Sequence, residues 1–219
     1  MTRITIALIA ALLSAGCISQ NPHQPVYHYS IDAPTVAPIE SSGEKLDVGL
    51  AVLDTRTSSR YGTKMLYKLP GGVIGFREYD RWVENPTELV SRATISIFIQ
   101  SGAFKNVGGP SSLRWADYSL AGYIIRFDEI RDGATRAAEF SIRFSLNRVE
   151  GGDVVWAATM SARRDMDGED GAAFASALGS AAGELLAEAR QKAVSAVRED
   201  LVKREAEKTE EPDRENKDE

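Results

Sequence analysis

The sequence contains one cysteine, Cys17, and two histidines, His23 and His28. A lone cysteine excludes a disulfide within the chain. Both histidines precede the predicted domain, so a serine or cysteine nucleophile would lack a histidine base. Positive charge is also scarce, with 26 Lys and Arg against 32 Asp and Glu and a net charge of −6. Because binding to phosphates needs a basic face, this charge balance argues against a nucleic-acid partner.

Long apolar runs are equally scarce, and the longest lies at the N-terminus, in residues 4–13. It has about ten residues, too few to cross a hydrocarbon core of about 30 Å as a helix. Arg3 precedes the run, and Ser14, Ala15 and Gly16 lead from it to Cys17. This order is typical of a bacterial lipoprotein signal peptide.

The residues before Cys17 resemble a lipobox, although Ser14 occupies a place where leucine is usual. The resemblance implies removal of residues 1–16 and covalent attachment of diacylglycerol and an N-acyl chain to Cys17. Ile18, rather than aspartate, follows the cysteine, which implies sorting to the periplasmic face of the outer membrane. The alternative is a free cysteine behind an ordinary secretory signal.

Composition divides the remaining chain into three parts. Residues 17–45 contain four prolines among polar residues, which favours an extended, lipid-anchored tether. Within it, Tyr27, Tyr29 and Ile31 alternate and predict an edge strand near the start of the domain. Residues 46–205 carry the apolar patterns of a folded domain, and residues 206–219 form a charged tail that is expected to be disordered.

Periodicity within the domain predicts an α+β fold in which two helices pack on one face of an antiparallel sheet. The expected element order is β-β-β-α-β-β-β-β-α. The predicted strands are 46–53, 65–69, 73–79, 104–107, 118–130, 140–147 and 154–161, and the predicted helices are 86–100 and 171–203.

Motifs for catalysis are missing from the sequence: it contains no G-x-S-x-G, P-loop or H-E-x-x-H pattern. His23 and His28 lack a cysteine or carboxylate at ligand spacing, so we expect them to be solvated. Asp165, Asp167 and Asp170 faintly resemble a calcium loop, but the closing glutamate is missing and a solvated turn is the better interpretation. We therefore expect neither an enzyme nor a metal site, and no cofactor beyond the lipid on Cys17.

The segment Tyr79-Asp80-Arg81-Trp82, just before the first predicted helix, needs a specific explanation. One interpretation is structural, with Trp82 packed between the helix start and the sheet and Tyr79 beside it. The other is an exposed recognition patch, because Tyr, Trp and Arg dominate binding hot spots. We expect the structural role for both aromatic residues.

Several segments together resemble the ABC-type transport auxiliary lipoproteins, the group that includes the PqiC and YmbA lipoproteins. The segments are Leu69-Pro70, Tyr79-Asp80-Arg81-Trp82, Glu88-Leu89-Val90-Ser91-Arg92 and Ser101-Gly102-Ala103-Phe104-Lys105-Asn106-Val107, followed by the three-strand meander and the last helix. The charged tail and the glycine-rich segment 71–75 depart from the family pattern. The resemblance implies a non-catalytic component that docks a trans-periplasmic conduit of MCE-domain protein. An inner-membrane ABC permease and ATPase would be its other partners.

Two alternatives share a tethered α+β domain: a lipoprotein activator of a cell-wall synthase and a lipopolysaccharide-assembly lipoprotein. A co-purifying synthase or a β-barrel partner would distinguish them from the transport role. The alanine-rich last helix could also pack against a copy of itself, so a homo-oligomer is a further candidate assembly.

Overall fold

The computed structural model describes residues 24–31, 45–111 and 115–210. Nine β-strands and two α-helices lie within these ranges. In chain order they are β1 (Tyr27–Tyr29), β2 (Leu46–Val52), β3 (Arg56–Thr57), β4 (Lys64–Lys68), β5 (Ile74–Trp82), α1 (Pro86–Ser101), β6 (Phe104–Gly108), β7 (Tyr118–Asp132), β8 (Thr135–Arg148), β9 (Val154–Asp165) and α2 (Gly171–Glu210).

The 15-residue strand β7 organises the sheet. One of its edges pairs with β8 along almost the whole strand, and β8 pairs with β9, both antiparallel. Its other edge pairs in parallel with β2, β3 and β4 in succession. The sheet then continues from β2 to β6, and from β4 through β5 to β1. It therefore branches into two arms on one side of β7.

The predicted α+β class and element order are confirmed, as is the antiparallel meander β7–β8–β9. The sheet is mixed rather than antiparallel throughout, since β2, β3 and β4 all run parallel to β7. An alternating pattern tells which residues share a face but not the direction of the neighbouring strand. The two-residue β3 is too short to leave a periodic signal.

Helix α1 begins and ends where the sequence predicts. Pro86 is its first residue, and the side chain of Glu88 accepts a hydrogen bond of 3.0 Å from the backbone N–H of Asn85. Gly102 follows the last turn with a φ of 63°, a left-handed conformation that glycine adopts without strain. These end signals are local, which explains why sequence alone locates the helix.

Helix α2 packs on β8, β9 and α1 through a stripe of leucines, valines and alanines, so its small residues serve internal packing. It ends at Glu210, five residues past the predicted domain boundary at 205, and residues 211–219 lie outside the described ranges. At the other boundary, β1 forms where the sequence predicts an edge strand near the start of the domain, inside the range 17–45 assigned to the tether. Within the described part of the chain, no helix is both long and apolar enough to cross a membrane.

Candidate functional site

The segment Tyr79-Asp80-Arg81-Trp82 forms the end of β5, and its first two residues belong to a four-residue bulge. Lys64 of β4 pairs with Arg81 and Leu66 with Phe76, so residues 77–80 of β5 oppose a single residue of β4. The Arg81 guanidinium donates hydrogen bonds of 2.7–2.9 Å to the carbonyl oxygens of residues 77, 78 and 80. Arg81 therefore holds the bulge by binding three of its backbone carbonyl groups.

The two aromatic residues of this segment have different environments. Trp82 is 1% exposed, and its ring centroid lies 5.2 Å from that of Phe127 and 5.5 Å from that of Phe174. Tyr79 lies at the surface, where its hydroxyl donates a hydrogen bond of 2.9 Å to Glu78. Trp82 therefore joins β5 to β7 and α2, and the two rings do not form one patch.

Asp80 and Trp82 also fasten the first strand to the domain. β1 pairs in parallel with the end of β5, with Tyr27 beside Asp80 and Tyr29 beside Trp82. Burial, followed by the charge of Asp80 and a hydrogen bond to it, raises the pKa of Tyr29. Gly171, the first residue of α2, fits so closely that a Cβ there would lie 2.5 Å from Asp80 and 2.8 Å from the Tyr29 ring. We call β1, residues 79–82 and the start of α2 the anchor junction.

A buried carboxylate, Glu129, lies next to this junction near the end of β7. Its side chain has no exposed surface and binds two guanidinium groups. Arg77 and Arg131 each donate two hydrogen bonds of 2.7 and 3.0 Å to its oxygens. Arg77 also donates to the carbonyl oxygen of Glu169 at 2.7 Å and to Asp80 at 3.2 Å. This cluster links β5, β7, the anchor junction and the loop before α2.

The preceding residue, Asp128, forms a second buried cluster, since successive strand residues point to opposite faces. The Tyr61 hydroxyl donates a hydrogen bond of 2.6 Å to Asp128, and Lys68 forms an ion pair with it. Burial, together with the hydrogen bond and charge of Asp128, raises the pKa of Tyr61. Arg131, which belongs to the Glu129 cluster, also lies over the Tyr67 ring, with its guanidinium carbon 3.8 Å from the ring centroid.

These two clusters act as structural links rather than as acid–base groups. Each carboxylate is bound by a cation, and charge-assisted pairs of this kind fix strands firmly. Sequence reasoning did not single them out. The adjacent acids Asp128 and Glu129, between Phe127 and Ile130 in a predicted strand, were the available signal, because a buried charge requires a partner.

An open groove runs along the outer side of α1. It has a volume of about 750 Å³, and the exposed side chain of Ile99 lies on it. A second hollow of about 590 Å³ lies beside Gly122 and Tyr123 of β7. Asp54, which follows β2, lines both. These volumes fall within the range of small-molecule sites.

The remaining predicted residues are separate from the anchor junction or outside the described ranges. Cys17 and His23 lie outside those ranges, and His28 is exposed on β1. Asp165 and Asp167 are exposed, whereas Asp170 accepts a hydrogen bond of 2.8 Å from the Ala173 N–H at the start of α2. Among the described residues, no cluster of His, Cys, Asp and Glu has the geometry of a metal site.

Comparison with known proteins gives one family match and several structural matches. The model of the ABC-type transport auxiliary lipoprotein component matches residues 61–189, a range that holds residues 79–82 and both buried clusters. Protein XCC0632 from Xanthomonas campestris is 19% identical with a TM-score of 0.74, over 80% of this chain and 99% of that one. An uncharacterized protein is 12% identical with a TM-score of 0.62, over 77% and 99%. These two show a shared fold, and no curated protein sequence matches this chain.

Proposed function

Because the chain belongs to the ABC-type transport auxiliary lipoprotein family, we propose that it is a lipid-anchored, non-catalytic component of an ABC and MCE-type lipid transport system. In this proposal Cys17 carries diacylglycerol and an N-acyl chain, which hold the protein at the periplasmic face of the outer membrane. The domain receives a conduit of MCE-domain protein that reaches across the periplasm. An inner-membrane permease and its ATPase supply the energy from other chains.

The anchor junction is the observation that carries this proposal. β1 is the first strand in the described part of the chain, and it is paired to β5 and packed against the start of α2. A short strand with only solvent contacts would transmit little force to the domain, whereas this one is joined through Asp80 and Arg77 to the buried Glu129 cluster. Such a connection suits a protein that holds a partner at a fixed place relative to a membrane.

Anchoring is tested by fractionating cells that express the wild type, Cys17→Ala or the matched control Ser19→Ala. The wild type and Ser19→Ala should sediment with outer-membrane vesicles, because acyl chains contribute about 0.8 kcal/mol per buried methylene group. Cys17→Ala should lose the membrane fraction. Unchanged sedimentation of Cys17→Ala would contradict the lipid anchor.

The transport role is tested by affinity purification of the tagged protein from detergent-solubilised membranes. An MCE-domain protein together with an ABC permease is the expected co-purifying set. Recovery of a cell-wall synthase, or of a β-barrel that handles lipopolysaccharide, would replace the transport role with one of the two alternatives.

A further inference from the structure

An apolar hairpin tip projects from the end of the sheet at which β4 ends and β5 begins. Leu69, Val73, Ile74 and Phe76 surround a Pro70–Gly72 turn, and each of the four side chains is 40–56% exposed. Val26 and Tyr27, at the start of β1, are exposed as well. We call residues 69–76 the apolar tip. Exposed apolar groups clustered in this way mark a contact surface.

The direction of β1 places the lipidated N-terminus on the same side as the apolar tip. β1 runs parallel to β5, and Tyr27 lies beside Asp80, six residues after Ile74. The chain that precedes Tyr27 therefore approaches from the end of β5 that carries the tip. Because of the bulge at 77–80, β4 covers the same stretch in the four residue steps from Lys64 to Lys68, so the tip extends about 13 Å beyond Tyr27 towards the anchor.

The length of chain before β1 limits how far the domain can lie from the membrane. Ten residues lead from Cys17 to Tyr27, and they span at most about 35 Å when fully extended. The tip reaches the bilayer surface when this segment spans about 13 Å, well within that limit. A tether of 29 residues, as the sequence suggested, would not have imposed this proximity.

We propose that the apolar tip inserts into the interfacial layer of the lipid bilayer that holds the Cys17 anchor. The tip and the acyl chains then form two membrane contacts, which fix the orientation of the domain. Lys64 lies with its ammonium 6.0 Å from the Phe76 ring centroid, so a cation stands where lipid headgroups would lie. This inference rests on the proposed lipidation of Cys17.

The test compares two valines that are matched in exposure and turn type. Val73 is 56% exposed beside Gly71-Gly72, and Val149 is 54% exposed beside Gly151-Gly152 at the opposite end of the sheet. Each is replaced by cysteine in the lipidated full-length chain, where Cys17 is occupied by lipid. The new thiol is labelled with an environment-sensitive fluorophore and the protein is reconstituted in phosphatidylethanolamine and phosphatidylglycerol vesicles.

At position 73 we expect a blue-shifted emission and quenching by brominated lipids, and at position 149 neither effect. Equal signals at the two positions, or a shift at 73 only after an MCE-domain protein is added, would overturn the proposal. So would a shift at 73 only at high protein density, which would indicate that the tip contacts a second copy of the chain.

Mass spectrometry of the same samples distinguishes failure of the proposed lipid anchor from failure of the proposed insertion of the apolar tip. An unmodified Cys17 refutes the anchor and this inference together, whereas a lipidated Cys17 with equal signals refutes this inference alone.

Discussion

Glu129 is the residue on which the buried polar network depends, because its two oxygens bind both Arg77 and Arg131. Glu129→Gln keeps the shape of the side chain but removes the negative charge between two guanidinium groups. Removing one partner of a buried ion pair typically costs about 3–5 kcal/mol, since the remaining charge is left uncompensated. We expect a loss of this size in the free energy of unfolding, measured by urea denaturation followed by circular dichroism.

The control for Glu129→Gln is Glu84→Gln, which removes a carboxylate from a solvent-exposed pair with Arg92. Exposed ion pairs contribute about 0–1 kcal/mol to stability, so the free energy of unfolding of the control should be close to that of the wild type. Equal losses for the two variants would show that the Glu129 cluster contributes no more than a surface pair.

Within segment 79–82, Trp82 is the residue whose packing role is tested most directly by its effect on stability. Its ring contacts Phe127 and Phe174 in the core. Trp82→Ala should lower the free energy of unfolding by about 3–5 kcal/mol, because it leaves a large cavity between β5, β7 and α2. Trp115→Ala, at a ring that is 92% exposed, should change it by less than about 0.5 kcal/mol. A stable Trp82→Ala protein that loses its partner would instead make Trp82 a contact residue.

At the scale of elements, local signals were enough to predict most of the fold. The caps of α1 and the alternation in β8 lie within a few residues of each other, so a single sequence reveals them. The parallel pairing of β7 with β4 depends on residues more than 60 positions apart, such as Tyr67 and Glu129. The bulge at 77–80 likewise depends on how β5 meets β4. Relations of this kind leave no pattern in either segment alone.

The attachment of α2 to β7 can be tested through the pH dependence of stability. The Tyr118 hydroxyl donates a hydrogen bond of 2.8 Å to Asp200, and burial, with that bond and charge, raises the pKa of Tyr118 from 10.0 to about 12. The folded state thus favours the neutral hydroxyl. The resulting stability is fully present below pH 10 and is lost as the pH rises from 10 to 12.

Tyr118→Phe should therefore lose less stability than the wild type between pH 10 and 12, as measured by denaturant unfolding at each pH. Tyr123→Phe, at an exposed ring on the same strand, is the control and should follow the wild-type curve. If Tyr118→Phe and the wild type decline in parallel, Tyr118 is not the group that responds to pH.

At the scale of the whole molecule, the sequence predicted an anchor, a tether and a domain with an edge strand near its start, but not the strand with which that edge strand pairs. Tyr27, Tyr29 and Ile31 gave a short alternating signal within a proline-rich stretch, and the stretch as a whole suggested a tether of 29 residues. The pairing of β1 with Asp80, Arg81 and Trp82 leaves nine residues between Cys17 and β1. Segment 79–82 thus holds β1 in place. This role depends on a contact between residues more than 50 positions apart in the sequence.

The close fit at the anchor junction allows the strand that follows the lipid anchor to be loosened without altering the core. Gly171→Ala would place a methyl group 2.5 Å from Asp80 and 2.8 Å from Tyr29, so both side chains must move and β1 should open more often. We expect hydrogen exchange at the β1 amides to quicken by about tenfold, which corresponds to about 1.4 kcal/mol.

Gly179→Ala is the control in the same helix, because its methyl group would lie 3.9 Å from Ile31, an ordinary contact. It should leave exchange in β1 unchanged and favour the helix slightly. Equal exchange in the two variants would show that β1 is held by its ladder with β5 alone, and that α2 has no part in joining the anchor to the domain.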